Sequence, residues 1–160
     1  MRILGIDPGL NITGYGLIDV SGNHLRLVEA GIIKTTVSSG IKNRLNKIHQ
    51  GLLGLIQEQR PEVMVLEKLY THYRHPTTAC LLGHVRGVIC LLSAQKDLDF
   101  FEYSPTRIRK SILGRGNASK LQVKRMMENI FKLKEGSLTL DTSDALAMAV
   151  AHANICKIKI

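Results

Sequence analysis

The sequence opens with residues 1–9, Met-Arg-Ile-Leu-Gly-Ile-Asp-Pro-Gly, in which a short apolar run ends at an acid and a turn. The apolar residues predict a buried strand over 1–6, and Asp7 with the Pro-Gly that follows is also ordinary turn chemistry. A second apolar run, 63–66, ends at Glu67, for which no turn role is expected, although surface pairing with Lys68 is an alternative. Placing the two strands side by side brings both carboxylates to the same sheet edge, where open α/β sheets bind ligands.

The rest of the chain predicts strands and helices that build a sheet around this edge. The expected elements are strands 13–20 and 24–34, helix 41–59, strand 62–66, helix 77–95, strand 98–103 and helices 105–112, 119–132 and 142–155. The first three strands are close together and predict an antiparallel meander. A strand reached from it through a helix should lie parallel to its neighbour. The chain is therefore predicted to be one α/β domain over 1–160, with a five-stranded mixed sheet flanked by helices in a ribonuclease H-like fold.

Two more acids stand at the start of the last predicted helix. Asp141 and Asp144 precede the apolar stretch 145–150, and their i, i+3 spacing puts both on one helix face. Singly, each is compatible with a residue that caps the helix or stabilises its dipole. Together with the acids at the strand ends, they form a hard-oxygen site suited to Mg²⁺. Phosphodiester cleavage uses such clusters to hold two ions about 3.5–4 Å apart.

The chain around these acids is basic, with a formal net charge of +9. A basic balance can simply aid solubility, but it also predicts a polyanionic partner. The stretch 107–125 contains no acid and carries Arg107, Arg109, Lys110, Arg115, Lys120, Lys124 and Arg125. A solvated helix face normally interleaves signs, so we interpret this stretch as a surface that follows phosphates, with Lys120 near the reacting one. Acids in such a protein predict metal-dependent cleavage of nucleic acid.

At the level of whole motifs the sequence resembles the RuvC family of crossover junction endodeoxyribonucleases. The matching segments follow the family order along nearly the whole chain, at 3–9, 13–16, 65–67, 82–87, 105–110, 114–120 and 141–145. The resemblance implies that the catalytic and metal-binding acids are Asp7, Glu67, Asp141 and Asp144, with Arg109 and Lys120 binding phosphate. It also implies a homodimer that makes paired symmetric nicks in four-way DNA junctions, in partnership with the RuvA and RuvB branch-migration proteins. We expect two Mg²⁺ per active site, with Mn²⁺ as a substitute.

The segment after Glu67 departs from the family pattern, because residues 69–76 are one residue longer than usual. Tyr70 and Tyr73, beside Arg74, suit base stacking at an opened junction. Tyr70 is favoured as the stacking wedge, and a polar surface loop without contact to DNA is the alternative.

The three cysteines, Cys80, Cys90 and Cys156, are widely spaced in apolar surroundings. They predict reduced core thiols in a cytoplasmic protein. Together with His72 and His75, Cys80 would make at most an incomplete zinc site. No uninterrupted apolar run reaches the length of a membrane span, so no membrane association is expected.

The helix predicted over 77–94 is apolar on more than one side, through Ala79, Leu81, Leu82, Val85, Val88, Ile89, Leu91 and Leu92. One side should pack on the sheet. The other is expected to face a second copy of the chain, with Gly83 and Gly87 allowing close approach. A fully buried core helix is the alternative.

Three other functions remain to be compared with a junction-cleaving nuclease. An actin-like kinase would need a second, similarly folded half. A nuclease of the RuvX (YqgF) type has a related fold but is not expected to carry Glu67 or the basic glycine-rich segment. A junction-binding protein without catalysis would have no need of all four acids.

Overall fold

A five-stranded mixed sheet forms the centre of this computed structural model, which describes residues 1–68 and 76–157. The sheet order is β3-β2-β1-β4-β5. The first three strands pair antiparallel, whereas β4 lies parallel to β1 and β5 lies parallel to β4. The predicted meander and the predicted placement of the fourth strand beside the first are therefore confirmed. The strands are β1 (Arg2–Asp7), β2 (Ile12–Ser21), β3 (His24–Lys34), β4 (Val63–Glu67) and β5 (Asp99–Tyr103).

The five predicted helices are all present, with small shifts at their ends. They are α1 (Gly40–Gln59), α2 (Pro76–Gln95), α3 (Pro105–Leu113), α4 (Lys120–Ile130) and α5 (Leu140–Lys157), and a short 3₁₀ turn at Val37–Ser39 precedes α1. Ser104 caps α3 by accepting from the Arg107 N–H, and Ser119 begins α4 with a capping box. The helix α4 ends two residues earlier than predicted, and the backbone beyond it turns at Lys132, whose φ is 53°.

The two faces of the sheet carry separate hydrophobic cores, because successive strand residues point to opposite sides. Ile3 belongs to the core covered by α3, α4 and α5, whereas Leu4 and Ile6 belong to the core covered by α1 and α2. The middle of α5 is almost completely buried, with Ala145 through Ala151 at most 1% exposed. The carboxyl end of β1 is thus enclosed by helices on both sides.

The helix α2 is buried on one side only. Val85, Ile89 and Leu92 are fully buried, but Leu91 is 57% exposed and the space beside Gly87 is open. The alternative of a fully buried core helix is therefore wrong. Among the described helices, α2 is also the one long and apolar enough, by length and composition, to cross a membrane, although His84 and Arg86 interrupt its apolar run. Its buried side nevertheless packs on the sheet as a core helix does.

The cysteines do not occupy the core positions expected of them. All three are free thiols, but Cys80 is exposed, and Cys90 and Cys156 are only half-buried. The apolar neighbours in the sequence were misleading because α2 turns Cys80 toward solvent.

Candidate active site

Asp7 and Glu67 end adjacent parallel strands, as predicted. The last paired residues of β1 and β4 are Ile6 and Leu66, so the two acids occupy the next positions on neighbouring strands. Both side chains are half-buried. The Asp7 carboxylate belongs to the strand itself and not to the turn after it. The described residues contain no ion pair between Glu67 and Lys68, so the surface-pair alternative is not supported.

Glycines in β1 and β2 bring α5 directly onto this edge. Gly14 pairs with Asp7 in the sheet, and a Cβ placed on Gly14 would lie 2.3 Å from the backbone oxygen of Asp141. A Cβ on Gly5 would lie 2.0 Å from the oxygen of Ala145. Any larger side chain would therefore push the helix away. The start of α5 lies over the Asp7–Gly14 pair because Gly5 and Gly14 have no side chain to hold the helix away.

Thr139 is the residue that caps α5. Its Oγ1 accepts from the Thr142 N–H at 3.2 Å. Asp141 and Asp144 are therefore not needed as caps, although Asp141 lies in the first turn of α5, where a negative charge stabilises the helix dipole. The two acids are free to face the sheet edge.

Three of the four acids line one pocket of about 120 Å³. Besides Asp7, Glu67 and Asp144, its lining includes Pro105, Ile108, Arg109, Lys120, Val123, Ala147 and Met148. Asp141 lies in an adjoining depression of about 550 Å³, formed by the turn after β1 and the start of α2. It is still close enough for its negative charge to raise the pKa of Asp7. The structure thus brings Asp7, Glu67 and Asp144 to one pocket, and it places Asp141 outside that pocket but near enough to affect Asp7.

The acids are crowded enough to disturb one another's protonation. Burial, followed by the charge of Asp144, raises the pKa of Asp7 from 3.8 to about 7. The same two causes, in the same order, raise the pKa of Glu67. Lys120 opposes both shifts. Its Nζ donates to Asp144 Oδ2 at 2.6 Å, and this hydrogen bond raises the pKa of Lys120 itself.

This donor set fits a divalent cation. Carboxylate oxygens are the ligands that Mg²⁺ and Mn²⁺ prefer, and an ion among them would relieve the repulsion that raises the pKa of Asp7. Within 1–68 and 76–157, however, no three His, Cys, Asp or Glu side chains stand close enough together to hold a metal as they are arranged. Oδ2 of Asp144 is paired with Lys120, so a metal ion at this oxygen would compete with the ammonium group.

The predicted basic residues divide into two groups. Arg109 and Lys120 line the acid pocket. Lys120 is the first residue of α4, and Pro105, the first residue of α3, lines the pocket as well. The others lie outside it: Arg107 stands over the Tyr103 ring at 5.1 Å, Lys124 approaches the buried Glu128 at 4.0 Å, and Lys110 and Arg115 are exposed. Arg125, also from this basic stretch, is 3.7 Å from Glu135.

Part of the predicted site lies outside the described residues. This applies to Tyr70, Tyr73 and Arg74, and to the two histidines of the zinc alternative, His72 and His75.

Sequence reasoning missed one contact at the site. Arg86 of α2 is buried and donates to the backbone oxygen of Glu67 at 2.6 Å. The available signal was a lone arginine within an apolar helix, which needs a polar partner wherever it is buried.

The sheet order and the acids at its edge define a ribonuclease H-like nuclease. A family model described as "Crossover junction endodeoxyribonuclease RuvC" matches residues 3–152. The RuvC protein of Rhodopirellula baltica is 42% identical over 148 residues, which cover 92% of this chain and 83% of that protein. The chain belongs to the RuvC family. It is a Holliday-junction resolvase, an endodeoxyribonuclease that acts on four-way DNA junctions, and the family implies dependence on a divalent metal.

Solved structures agree with this assignment. Thermus thermophilus RuvC in complex with a Holliday junction substrate has a TM-score of 0.92 and 29% identity, covering 99% of this chain and 96% of that one. The yeast mitochondrial Holliday junction resolvase Ydc2, at TM-score 0.67 and 15% identity, shows the shared fold alone. Family membership decides against the kinase, RuvX-type and non-catalytic alternatives.

Proposed function

We propose that Asp7, Glu67, Asp141 and Asp144 are the catalytic residues of this resolvase and together hold two Mg²⁺ ions, for which Mn²⁺ can substitute. The observation that carries this proposal is the pocket that Asp7, Glu67 and Asp144 line together, where burial and the charge of Asp144 also raise the pKa of Asp7 to about 7. When bound, such ions lower the pKa of the attacking water and neutralise charge at the scissile phosphate. The four carboxylates would fix the positions of the metal ions.

Lys120 and Arg109 are proposed to hold the scissile phosphate beside the acids. The Lys120 side chain is 59% exposed although it contacts Asp144, so its ammonium group can reach DNA without a change in the helix. Arg109 lines the same pocket and can offer two parallel N–H donors to a phosphate. The N-terminal ends of α3 and α4 add positive dipole charge at this place.

A wider DNA contact is proposed for the remaining basic residues, Arg107, Lys110, Arg115 and Lys124. Lys124 is the weakest member of this group, because its ammonium lies near Glu128 and its side chain is only 20% exposed. Tyr70, Tyr73 and Arg74 follow β4 in the sequence, with Tyr70 three residues past Glu67. We place the stacking wedge at Tyr70, where an aromatic ring can replace lost base stacking, worth about 1–3 kcal/mol per base. Tyr70→Ala should therefore impair cleavage of an intact junction more than of one already unpaired at its centre.

The exposed side of α2 is proposed as the contact between two copies of the chain. Two nicks related by the two-fold axis of a junction require two active sites related in the same way. Leu81, Gly83, Gly87 and Leu91 are all exposed on this helix, and the two glycines leave room for a facing helix. In the cell we place this dimer in the cytoplasm, working with RuvA and RuvB on four-way junctions and not at a membrane.

The experiment that tests paired cleavage uses a synthetic four-way junction with each strand end-labelled in turn. Incubation with Mg²⁺ should give nicks at matching positions in two opposite strands, whereas EDTA should abolish them. A linear duplex of the same sequence is the control and should stay intact. Nicking of one strand only, or equal cutting of the duplex, would contradict the proposal.

A further inference from the structure

Arg86 is a charged residue among the buried residues of α2. Its side chain is 9% exposed, and its neighbours Val85 and Ile89 are fully buried. Burying a guanidinium is costly, and a hydrophobic residue of similar volume is often at least as stabilising. Packing alone therefore does not account for an arginine at this position.

The guanidinium of Arg86 is shared between two partners at the end of the sheet. Nη1 donates to the backbone oxygen of Glu67 at 2.6 Å. Nη2 pairs with the carboxylate of Glu102 on β5. Glu102 is the sheet partner of Leu66, so it holds the guanidinium beside the last residues of β4. Both contacts converge on the strand end that carries an active-site acid.

Arg86 holds the backbone of Glu67 on the face of the sheet opposite to the Glu67 carboxylate. Leu66 belongs to the core beneath α2, whereas Tyr103, the sheet partner of Glu67, belongs to the core beneath α5. Because adjacent residues of a strand point to opposite faces, the Glu67 side chain points to the α5 side. That side carries the other acids. Its backbone oxygen is tied to α2.

We propose that Arg86 is a positioning residue that fixes Glu67 at the metal site. Through Arg86, the position of Glu67 depends on how α2 packs on the sheet. This inference rests on the proposed function, in which Glu67 binds metal. Contacts that orient a metal ligand from outside typically contribute about 10–100-fold in affinity or activity. The opposite side of α2 is the proposed dimer contact, so Arg86 also links the two-fold partner to the active site.

The test measures Mn²⁺ binding to the DNA-free protein by calorimetry, together with single-turnover cleavage and junction binding. Arg86→Met should weaken Mn²⁺ binding and slow cleavage, each by about 10–100-fold, because the Glu67 oxygen loses its donor. Junction binding should not change, since Arg86 is buried between α2 and the sheet. Arg86→Lys should recover part of the loss, because a lysine can donate to the Glu67 oxygen but cannot span both partners.

Glu102→Gln is the matched control, because it removes only the charge of the ion pair: the amide oxygen can still accept from Nη2, and the bond from Nη1 to Glu67 is kept. It should stay close to the wild-type protein in Mn²⁺ affinity. The proposal is overturned if Glu102→Gln is as impaired as Arg86→Met, or if Arg86→Met binds Mn²⁺ and cuts like the wild type. If Arg86→Met does not fold, Arg86→Gln replaces it, and wild-type Mn²⁺ affinity in that variant overturns the proposal equally.

Glu67→Gln in the same titration separates this inference from the function on which it rests. Loss of Mn²⁺ affinity in Glu67→Gln but not in the Arg86 variants would refute only the positioning role. Unchanged affinity in Glu67→Gln would refute the metal-binding role of Glu67, and the inference with it.

Discussion

The Nζ atom of Lys120 lies 2.6 Å from Oδ2 of Asp144, so the first residue of α4 neutralises an acid near the start of α5. A lysine in this place has two effects. It reduces repulsion among the acids before substrate arrives, and it places an ammonium group where we propose that the scissile phosphate binds.

Lys120→Ala is expected to slow junction cleavage by about 10²–10³-fold, the usual cost of removing one donor to a reacting oxyanion. It should also lower the salt dependence of junction binding by about one phosphate contact. Single-turnover rates and binding at several salt concentrations measure both effects. Lys96→Ala is the control, because Lys96 follows the C-terminal end of α2. It should change neither the cleavage rate nor the salt dependence. An unchanged rate and an unchanged salt slope for Lys120→Ala would remove it from the site.

The raised pKa of Asp7 predicts that the metal-free fold loses stability as pH rises. The folded protein holds the Asp7 proton up to about pH 7, whereas an ordinary aspartate loses it near 3.8. Between these values the folded state binds more protons than the unfolded state, so the free energy of unfolding must fall with rising pH. Asp7→Asn should remove this fall and stabilise the metal-free protein at pH 8 by on the order of 2 kcal/mol.

Urea unfolding at pH 4 and at pH 8 in EDTA measures this effect, which should be small at the lower pH. Asp19→Asn is the control with the opposite sign, because Arg2 lowers the pKa of Asp19 to about 2. That substitution should destabilise the protein at pH 8. Equal stability of Asp7→Asn and wild type at both pH values would show that burial and the neighbouring acids do not raise the pKa of Asp7.

Gly14→Ala tests whether the close approach of α5 is needed for activity. A methyl group at Gly14 would meet the Asp141 backbone oxygen at 2.3 Å, so the helix start must move. We expect cleavage to fall by at least tenfold while junction binding is kept, since a displacement of about 1 Å can cost 10²-fold in rate. Gly54→Ala is the control, because that glycine lies on α1 with open space around it. Wild-type cleavage by Gly14→Ala would contradict this role.

The exposed side of α2 predicts a dimer that a single charge can break. Leu91→Glu puts a carboxylate in the proposed contact, where burial without a partner costs several kcal/mol. Sedimentation should show a dimer for the wild type at tens of micromolar protein and a monomer for this variant. Val37→Glu, at a residue 71% exposed before α1, should remain a dimer. A monomeric wild-type protein would contradict the proposed interface.

Strand and helix order followed from the sequence because apolar runs and helical spacing are local signals. Asp7 and Glu67 could be placed together for the same reason, since parallel strands align their carboxyl ends. The close packing of α5 on the sheet was harder to predict, because it depends on contacts of Gly5 and Gly14 with residues more than a hundred positions away in the sequence. Arg86 was missed because a lone arginine in an apolar helix does not identify its partners, one of which is a backbone oxygen.

The exposures of individual residues were the least predictable part. Cys80 and Leu91 stand in apolar surroundings in the sequence, yet both are exposed. Hydrophobic composition does not distinguish a core helix from one whose second side contacts another chain. Lys124 shows the same limit, because its side chain is only 20% exposed and its ammonium group lies 4.0 Å from Glu128, one turn further along the same helix.

The most direct test of the central claim is cleavage of a synthetic four-way junction in Mg²⁺ by Asp7→Asn, Glu67→Gln, Asp141→Asn and Asp144→Asn, with junction binding measured alongside. Each variant should lose most of its cleavage and bind the junction at least as tightly as the wild type, because losing a carboxylate removes repulsion from phosphate. Cleavage at near wild-type rate by two or more of these variants would show that the acid cluster is not the catalytic site.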